Sequence, residues 1–206
     1  MNNLVQFAIV AGILTMLPGI DTAQMLRAAI KGGPRLAYLT LLGIGLGVWV
    51  WGIAAAVGLS AVLLASAQLY DVVRVIGAAY LLYIGVRMIL DARKNHGLQV
   101  SLVGSEVRPF KAMLRAFTIT MTNPKNGAFY VAVFPAFLPV DLNPVAGGVL
   151  LATIHNLEAL IWFTMIIGLT QFFKTFFAKP RVAKWMESIS GLAMIGFGTK
   201  LLLERH

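Results

Sequence analysis

Three charged side chains, Asp21, Lys125 and Glu158, each stand alone inside a long apolar stretch. At the centre of a bilayer each would cost roughly 2.5–3.5 kcal/mol, so each must face a cavity or a partner. A lone carboxylate attracts an ammonium group or a proton, and a lone ammonium attracts a carboxylate. Two of the three sit beside helix breakers. Pro18 and Gly19 precede Asp21, and Pro124 precedes Lys125. Proline removes a helical hydrogen bond and glycine loosens the backbone, so both stretches predict interrupted helices with free carbonyls and amides. Such a break survives in hydrocarbon only where protein or a water-filled cavity surrounds it.

Polar neighbours extend both breaks. Asp21 with Gln24 three residues on has the form of a capping pair for a half-helix starting after Gly19. Asn123 before Pro124 has the form of an N-cap followed by proline at the first helical position, and Asn126 lies one turn on. Two half-helix N-termini would then favour a carboxylate while Asp21 favours a cation, an arrangement that suits a zwitterion. His155, Asn156 and Glu158 lie on a third apolar stretch. At about 1.5 Å per helical residue all three groups reach similar depth. Asp21, Asn123, Lys125, Asn126, Gln24 and Asn156 are therefore candidates for substrate binding, and Asp21, Glu158 and His155 for proton coupling. A plainer reading is that Asp21 only caps its half-helix and that Lys125 only neutralises Asp21 or Glu158. Asp21 and Lys125 are expected to pair in the empty protein. His155 and Glu158 share a helical face at a spacing that metal sites also use. With no further histidine or carboxylate nearby, neither a metal nor a cofactor is expected.

The elements that position these residues follow from composition. The chain has 206 residues, 59% hydrophobic and 12% charged, with mean hydropathy +0.82. Soluble domains carry about twice that charged fraction. Six spans are expected, at roughly 4–26, 38–64, 70–90, 114–138, 145–172 and 186–203, each near the length a membrane helix needs. The N-terminal run is too long for a signal peptide and reads as a retained first helix. There is no cysteine, which excludes disulfides, thiolate metal sites and a cysteine nucleophile. The net charge of +9 reads as loop charge that orients a multi-pass protein, not as a nucleic-acid footprint.

Basic residues fall in alternate connections. Arg27, Lys31 and Arg35 follow span one. Arg93, Lys94, Arg108 and Lys111 follow span three. Lys174, Lys179, Arg181 and Lys184 follow span five. These connections are expected to be cytoplasmic, with both termini outside. Leu98, Val100 and Leu102, in the hydrophilic loop at about 92–112, alternate with polar neighbours as a short strand or interfacial segment would, although a solvated connector suffices. Gly43, Gly45, Gly47 and Gly52 on span two permit close helix approach and also admit a homodimer.

The halves resemble one another. Gly85-Val86-Arg87 matches Gly198-Thr199-Lys200, Gly58-Leu59-Ser60 matches Gly168-Leu169-Thr170, and Thr15-Met16 before Pro18 matches Thr120-Met121 before Pro124. Because three spans is an odd number, the halves would be inverted, a plan of many secondary transporters. The expected fold is one all-α transmembrane domain over 1–206. Repeat one covers about 1–91 and repeat two about 113–206, with the first and fourth helices broken.

At these residues the chain resembles the lysine-exporter and homoserine/threonine-efflux (LysE/RhtB) family of bacterial amino-acid exporters. The resemblance runs the length of the chain. It rests on Leu17-Pro18-Gly19-Ile20-Asp21, on Gly32-Gly33-Pro34-Arg35 leading into the glycine-rich helix, on Gly77-Ala78-Ala79-Tyr80-Leu81-Leu82-Tyr83-Ile84-Gly85, and on Thr122-Asn123-Pro124-Lys125. Ile20 departs from the family, which commonly has a second proline between glycine and aspartate. The resemblance implies export of amino acids or similar metabolites across the bacterial inner membrane, driven by the proton gradient. Two rivals remain at this point. An intramembrane enzyme would need a nucleophile with a base, or a metal with an open position, and neither is visible. A membrane scaffold or partner subunit would need packing glycines but no charges at mid-membrane depth.

Overall fold

A computed structural model describes residues 2–17, 19–92, 108–139 and 141–203. These residues form helices and turns, with no strand among them. In order they are α1 (Asn2–Met16), α2 (Ile20–Ala65), α3 (Ala67–Ala92), α4 (Pro109–Thr122), α5 (Pro124–Ala128), α6 (Pro144–Gly168), α7 (Thr170–Ala178) and α8 (Pro180–Leu203). The expected hydrophilic loop, with Leu98, Val100 and Leu102, falls largely outside the described residues.

Helix α2 is a hairpin. Only Gly33 departs from helical geometry, at φ 67° and ψ −168°, a backbone region essentially confined to glycine. Pro34 then opens the second arm, where its missing N–H is no loss. The arms fold back on one another, so that Thr22 and Ile44 line one cavity and Ala28 and Thr40 another. This corrects the expectation of a basic loop after residue 26. Arg27 and Lys31 lie on the first arm, Arg35 starts the second, and the reversal takes one glycine.

The fourth span also differs from the expected single broken helix. Beyond α5 the chain widens into a π-helical turn over Phe129–Val133 and tightens into a 3-10 turn over Phe134–Phe137. Pro135 accounts for this, because it has no N–H for the carbonyl four residues back and its ring crowds that carbonyl. The fifth span ends at Gly168 rather than near 172. The expected connection after it is largely helical, comprising α7 and the first turns of α8. Phe173 of α7 is buried edge-on against Trp162, which is why this short helix docks rather than lying in the connection.

Small residues set the helix crossings. A Cβ on Gly52 would lie 3.0 Å from the Gly148 carbonyl oxygen and 2.7 Å from the Ala152 Cβ, and one on Gly148 would lie 2.7 Å from the Gly52 oxygen and 2.8 Å from the Ala56 Cβ. The α3–α8 crossing repeats the pattern. Gly85 would meet the Gly191 oxygen at 2.6 Å and Ile195 at 2.7 Å, while Gly191 would meet the Gly85 oxygen at 2.5 Å and Ile89 at 2.7 Å. Gly198, the sequence match of Gly85, packs instead on Ala78 and Leu81. These contacts run antiparallel in both pairs. Gly43 against Met113 and Gly47 against Thr120 make α2 and α4 parallel. Gly43, Gly45, Gly47 and Gly52 thus pack inside the chain, where close approach substitutes for a hydrophobic drive that lipid cannot supply; Gly58, on the same arm, is open.

Ile20–Val62, Asp71–Ala92 and Pro144–Gly168 are long and apolar enough to cross a membrane, and Asn3–Met16 and Ser188–Leu203 are shorter apolar helices. Ile76, Ile161 and Leu192 turn outward, while a cluster around Phe7, Phe129, Tyr130 and Phe134 fills the centre.

Candidate functional site

The two breaks meet. Helix α1 ends at Met16 and α2 begins at Ile20 with Gly19 as its N-cap; Pro18 itself lies outside the described residues. Helix α4 ends at Thr122, and Asn123 caps α5, its side-chain oxygen accepting from the Lys125 amide at 3.0 Å. Pro124 takes the first helical position, as its spacing from Asn123 predicts. The half-helix it opens is only five residues long before the π turn.

Asp21 is the centre of a four-donor constellation. Its Oδ1 accepts from Gln24 Nε2 and Thr120 Oγ1, both at 3.3 Å. Its Oδ2 accepts from Asn123 Nδ2 and Asn126 Nδ2, both at 3.2 Å. Three of these donors come from the second break. Two oxygens offer about four lone-pair sites, so neutral donors occupy the whole carboxylate. Asp21 does not cap α2 as the sequence pairing with Gln24 implies. It sits in the first turn of α2, where the helix dipole favours an acid, and reaches across the chain.

Lys125 makes the reciprocal crossing. Its Nζ donates to the carbonyl oxygens of Leu14 and Leu17, each at 3.0 Å. These carbonyls end α1, so a cation from the second break satisfies acceptors that the first break frees. An ammonium has three donors, and two are used here. Lys125 is not in ion-pair contact with Asp21, contrary to the expected pairing. Among the described residues the resolved ion pair joins Arg74 to Asp71 at 3.1 Å.

Asp21, Lys125, Asn126, Thr22, Gly19 and His155 line one cavity of about 30 Å³. That is about the share of one water molecule, so no amino acid fits the site as it stands. His155 is buried, and its Nδ1 is 2.8 Å from the Tyr130 hydroxyl. Tyr130 in turn stacks on Trp51, whose Nε1 donates to the Thr120 carbonyl oxygen at 3.3 Å.

Two sequence candidates lie apart. Asn156 does not line the cavity; it donates to the Gly45 carbonyl oxygen at 3.1 Å and ties α6 to α2. Glu158 packs its carboxyl against Gly12 of α1, and its Oε2 is buried without a hydrogen-bond partner. Thr120, Tyr130 and Trp51 were not singled out for the site by sequence. No three His, Asp or Glu side chains come together among the described residues.

The family model described as LysE type translocator matches residues 12–205. A threonine efflux protein of Salmonella typhi is 29% identical over 96% of this chain and 96% of its own length. A leucine efflux protein of Klebsiella pneumoniae is 30% identical over 97% of this chain and 94% of its own. A membrane protein of Bacillus subtilis is 27% identical over 97% and 98%. No solved structure gives a significant match.

Proposed function

The chain belongs to the LysE type translocators, and on that premise we propose that it exports a neutral amino acid across the bacterial inner membrane in exchange for protons. Family and relatives make it a membrane transporter rather than an enzyme. Threonine and leucine, the amino acids for which two relatives are named, are the first substrates to test. The carrying observation is the small cavity in which Asp21 and Lys125 face the same space without touching. A zwitterion bridges such a gap. Its ammonium displaces donors from Asp21, and its carboxylate takes the remaining donor of Lys125 and the amides of Asn123 and Asn126.

Opening the site requires the two halves to move against each other around it. The reading that they are inverted repeats is supported by the reciprocal glycine contacts at both antiparallel crossings, α2 with α6 and α3 with α8. It is also supported by a break at a corresponding point in each half. Inverted repeats of this kind alternate access by rocking about a fixed central site. The basic stretches then lie inside, with both termini outside. Protons are carried by Asp21, by Glu158, whose buried Oε2 has no hydrogen-bond partner, or by His155, which lines the cavity from α6 and is bonded to the Tyr130 hydroxyl. The test is efflux of labelled threonine and leucine from preloaded cells, normalised to protein in the membrane. Equal retention with and without the protein would refute export of these two amino acids.

A further inference from the structure

Helix α8 carries a stripe that changes character along one face. Arg181, Trp185, Ile189 and Leu192 are all exposed, Trp185 at 70%, and their spacing keeps them on one side of the helix. Ser190 and Met194, on the opposite side, are fully buried. Lys184, three residues after Arg181, is exposed beside the stripe. The apolar part of α8 begins at Ser188. At about 1.5 Å per residue, Trp185 lies about 4.5 Å outside that boundary, Arg181 about 10 Å outside it, and Leu192 about 6 Å within. The stripe thus passes from cation through indole to aliphatic side chains. A phospholipid presents phosphate, glycerol and acyl chain in the same order, and tryptophan favours the middle level.

Helix α7 leads into this corner and is amphipathic. Phe173 is buried on Trp162, while Gln171 and Thr175 are exposed. Phe172 stays 59% exposed at the edge, stacked on Phe176. A short helix with an exposed aromatic edge and cations close by suits the plane of a membrane interface. Lys179, exposed like Arg181 and Lys184, ends α7, where the helix dipole favours a cation. Arg181 and Lys184 lie at the start of α8, where it does not, so a negative partner outside the chain relieves them. The acid that follows, Glu187, takes a position about 120° round the helix from Arg181.

We propose that the corner of α7 and α8 binds an anionic phospholipid. Arg181 and Lys184 hold its headgroup phosphate, Trp185 lies at the glycerol level, and Ile189 and Leu192 lie along an acyl chain. A soluble acidic partner would reach the cations and Trp185, but not the aliphatic residues within the boundary. This site is independent of the substrate and of the direction of transport.

The test uses the full chain in nanodiscs of equal parts phosphatidylglycerol and phosphatidylcholine, with bromine on the acyl chains of one lipid or the other. Bromine quenches a nearby indole, and the signal of Trp185 is the difference between the wild type and Trp185→Phe. Phosphatidylglycerol should be preferred at Trp185 by about fivefold for each of the two cations. Arg181→Gln and Lys184→Gln should each lose about fivefold of that preference, and Arg181→Lys should keep most of it. Arg108→Gln with Lys111→Gln, which removes two exposed cations elsewhere, should leave it unchanged. Equal quenching of Trp185 by the two lipids would overturn the proposal. So would an equal loss of preference in the Arg108 and Lys111 variant, because the preference would then belong to net charge and not to this corner. The comparison of the two lipids on the wild type needs no change at the cations, so it decides the matter even where their variants do not fold.

Discussion

The ammonium of Lys125 and the carbonyl oxygen of Leu17 are 3.0 Å apart, so a cation from the second broken helix closes the end of the first. Asp21 from the first break accepts from Asn123 and Asn126 of the second. The two breaks are thus cross-linked by two separate sets of hydrogen bonds, and the two charges do not neutralise each other by contact.

That separation sets an expectation for the charge variants. Lys125→Met strips the Leu14 and Leu17 carbonyls of their donor, and each buried unpaired group costs about 1–3 kcal/mol. Asp21→Asn deprives four donors of a full acceptor. The double variant should melt no higher than the weaker single variant in detergent. A double variant that regains wild-type stability would show that the two residues serve as a neutralising pair.

Asn123 separates stability from transport. Asn123→Ala loses both the cap on Lys125 N and the bond to Asp21, and caps are worth about 0.5–2 kcal/mol. Asn123→Ser keeps a capping oxygen but has no amide for Asp21. Melting should fall for the alanine variant and largely recover for serine, while efflux stays reduced in both. Recovery of efflux with serine would remove the Asn123–Asp21 bond from the working site.

At Gly33 the positive φ makes the prediction. Gly33→Ala should destabilise by about 1–3 kcal/mol although a Cβ there meets nothing within 4 Å. Gly58→Ala, equally open but inside a helix, should stabilise by about 0.5–1 kcal/mol. Opposite shifts in melting temperature test this directly. Shifts of the same sign would mean that the reversal does not depend on this backbone conformation.

Much of the site was legible because polarity is conspicuous in apolar helices. Asp21, Asn123, Lys125 and Asn126 stand out by their cost, and the structure brings them together. Thr120 did not stand out, since a threonine in a helix often bonds its own backbone, as Thr15 does to Ala11. Its signal was the spacing of Thr120, Asn123 and Asn126, three residues apart on one face. Asn156 carried the same polar signal but supports a helix crossing instead. The reversal at Gly33 was hidden because the basic residues around it read as a loop, although Gly33-Pro34 is the punctuation that ends one helix and opens another. The second cavity, which Ala28 and Thr40 line, was not legible at all, because its residues come from three segments that only the hairpin of α2 brings together.

Orientation is tested with the cysteine-free chain as background. Single cysteines replacing Asn2 or His206 should react with an impermeant thiol reagent in intact cells, and one replacing Lys94 should react only after permeabilisation. The reverse pattern would invert the membrane orientation.

The most direct measurement is efflux of labelled threonine and leucine from proteoliposomes under an imposed proton gradient, comparing the wild type with Asp21→Asn at equal protein. The wild type should release at least one of the two amino acids faster than empty liposomes, and Asp21→Asn should lose about tenfold or more of that rate, which corresponds to about 1.4 kcal/mol of lost stabilisation. Wild-type release indistinguishable from Asp21→Asn would contradict a transport site built on Asp21.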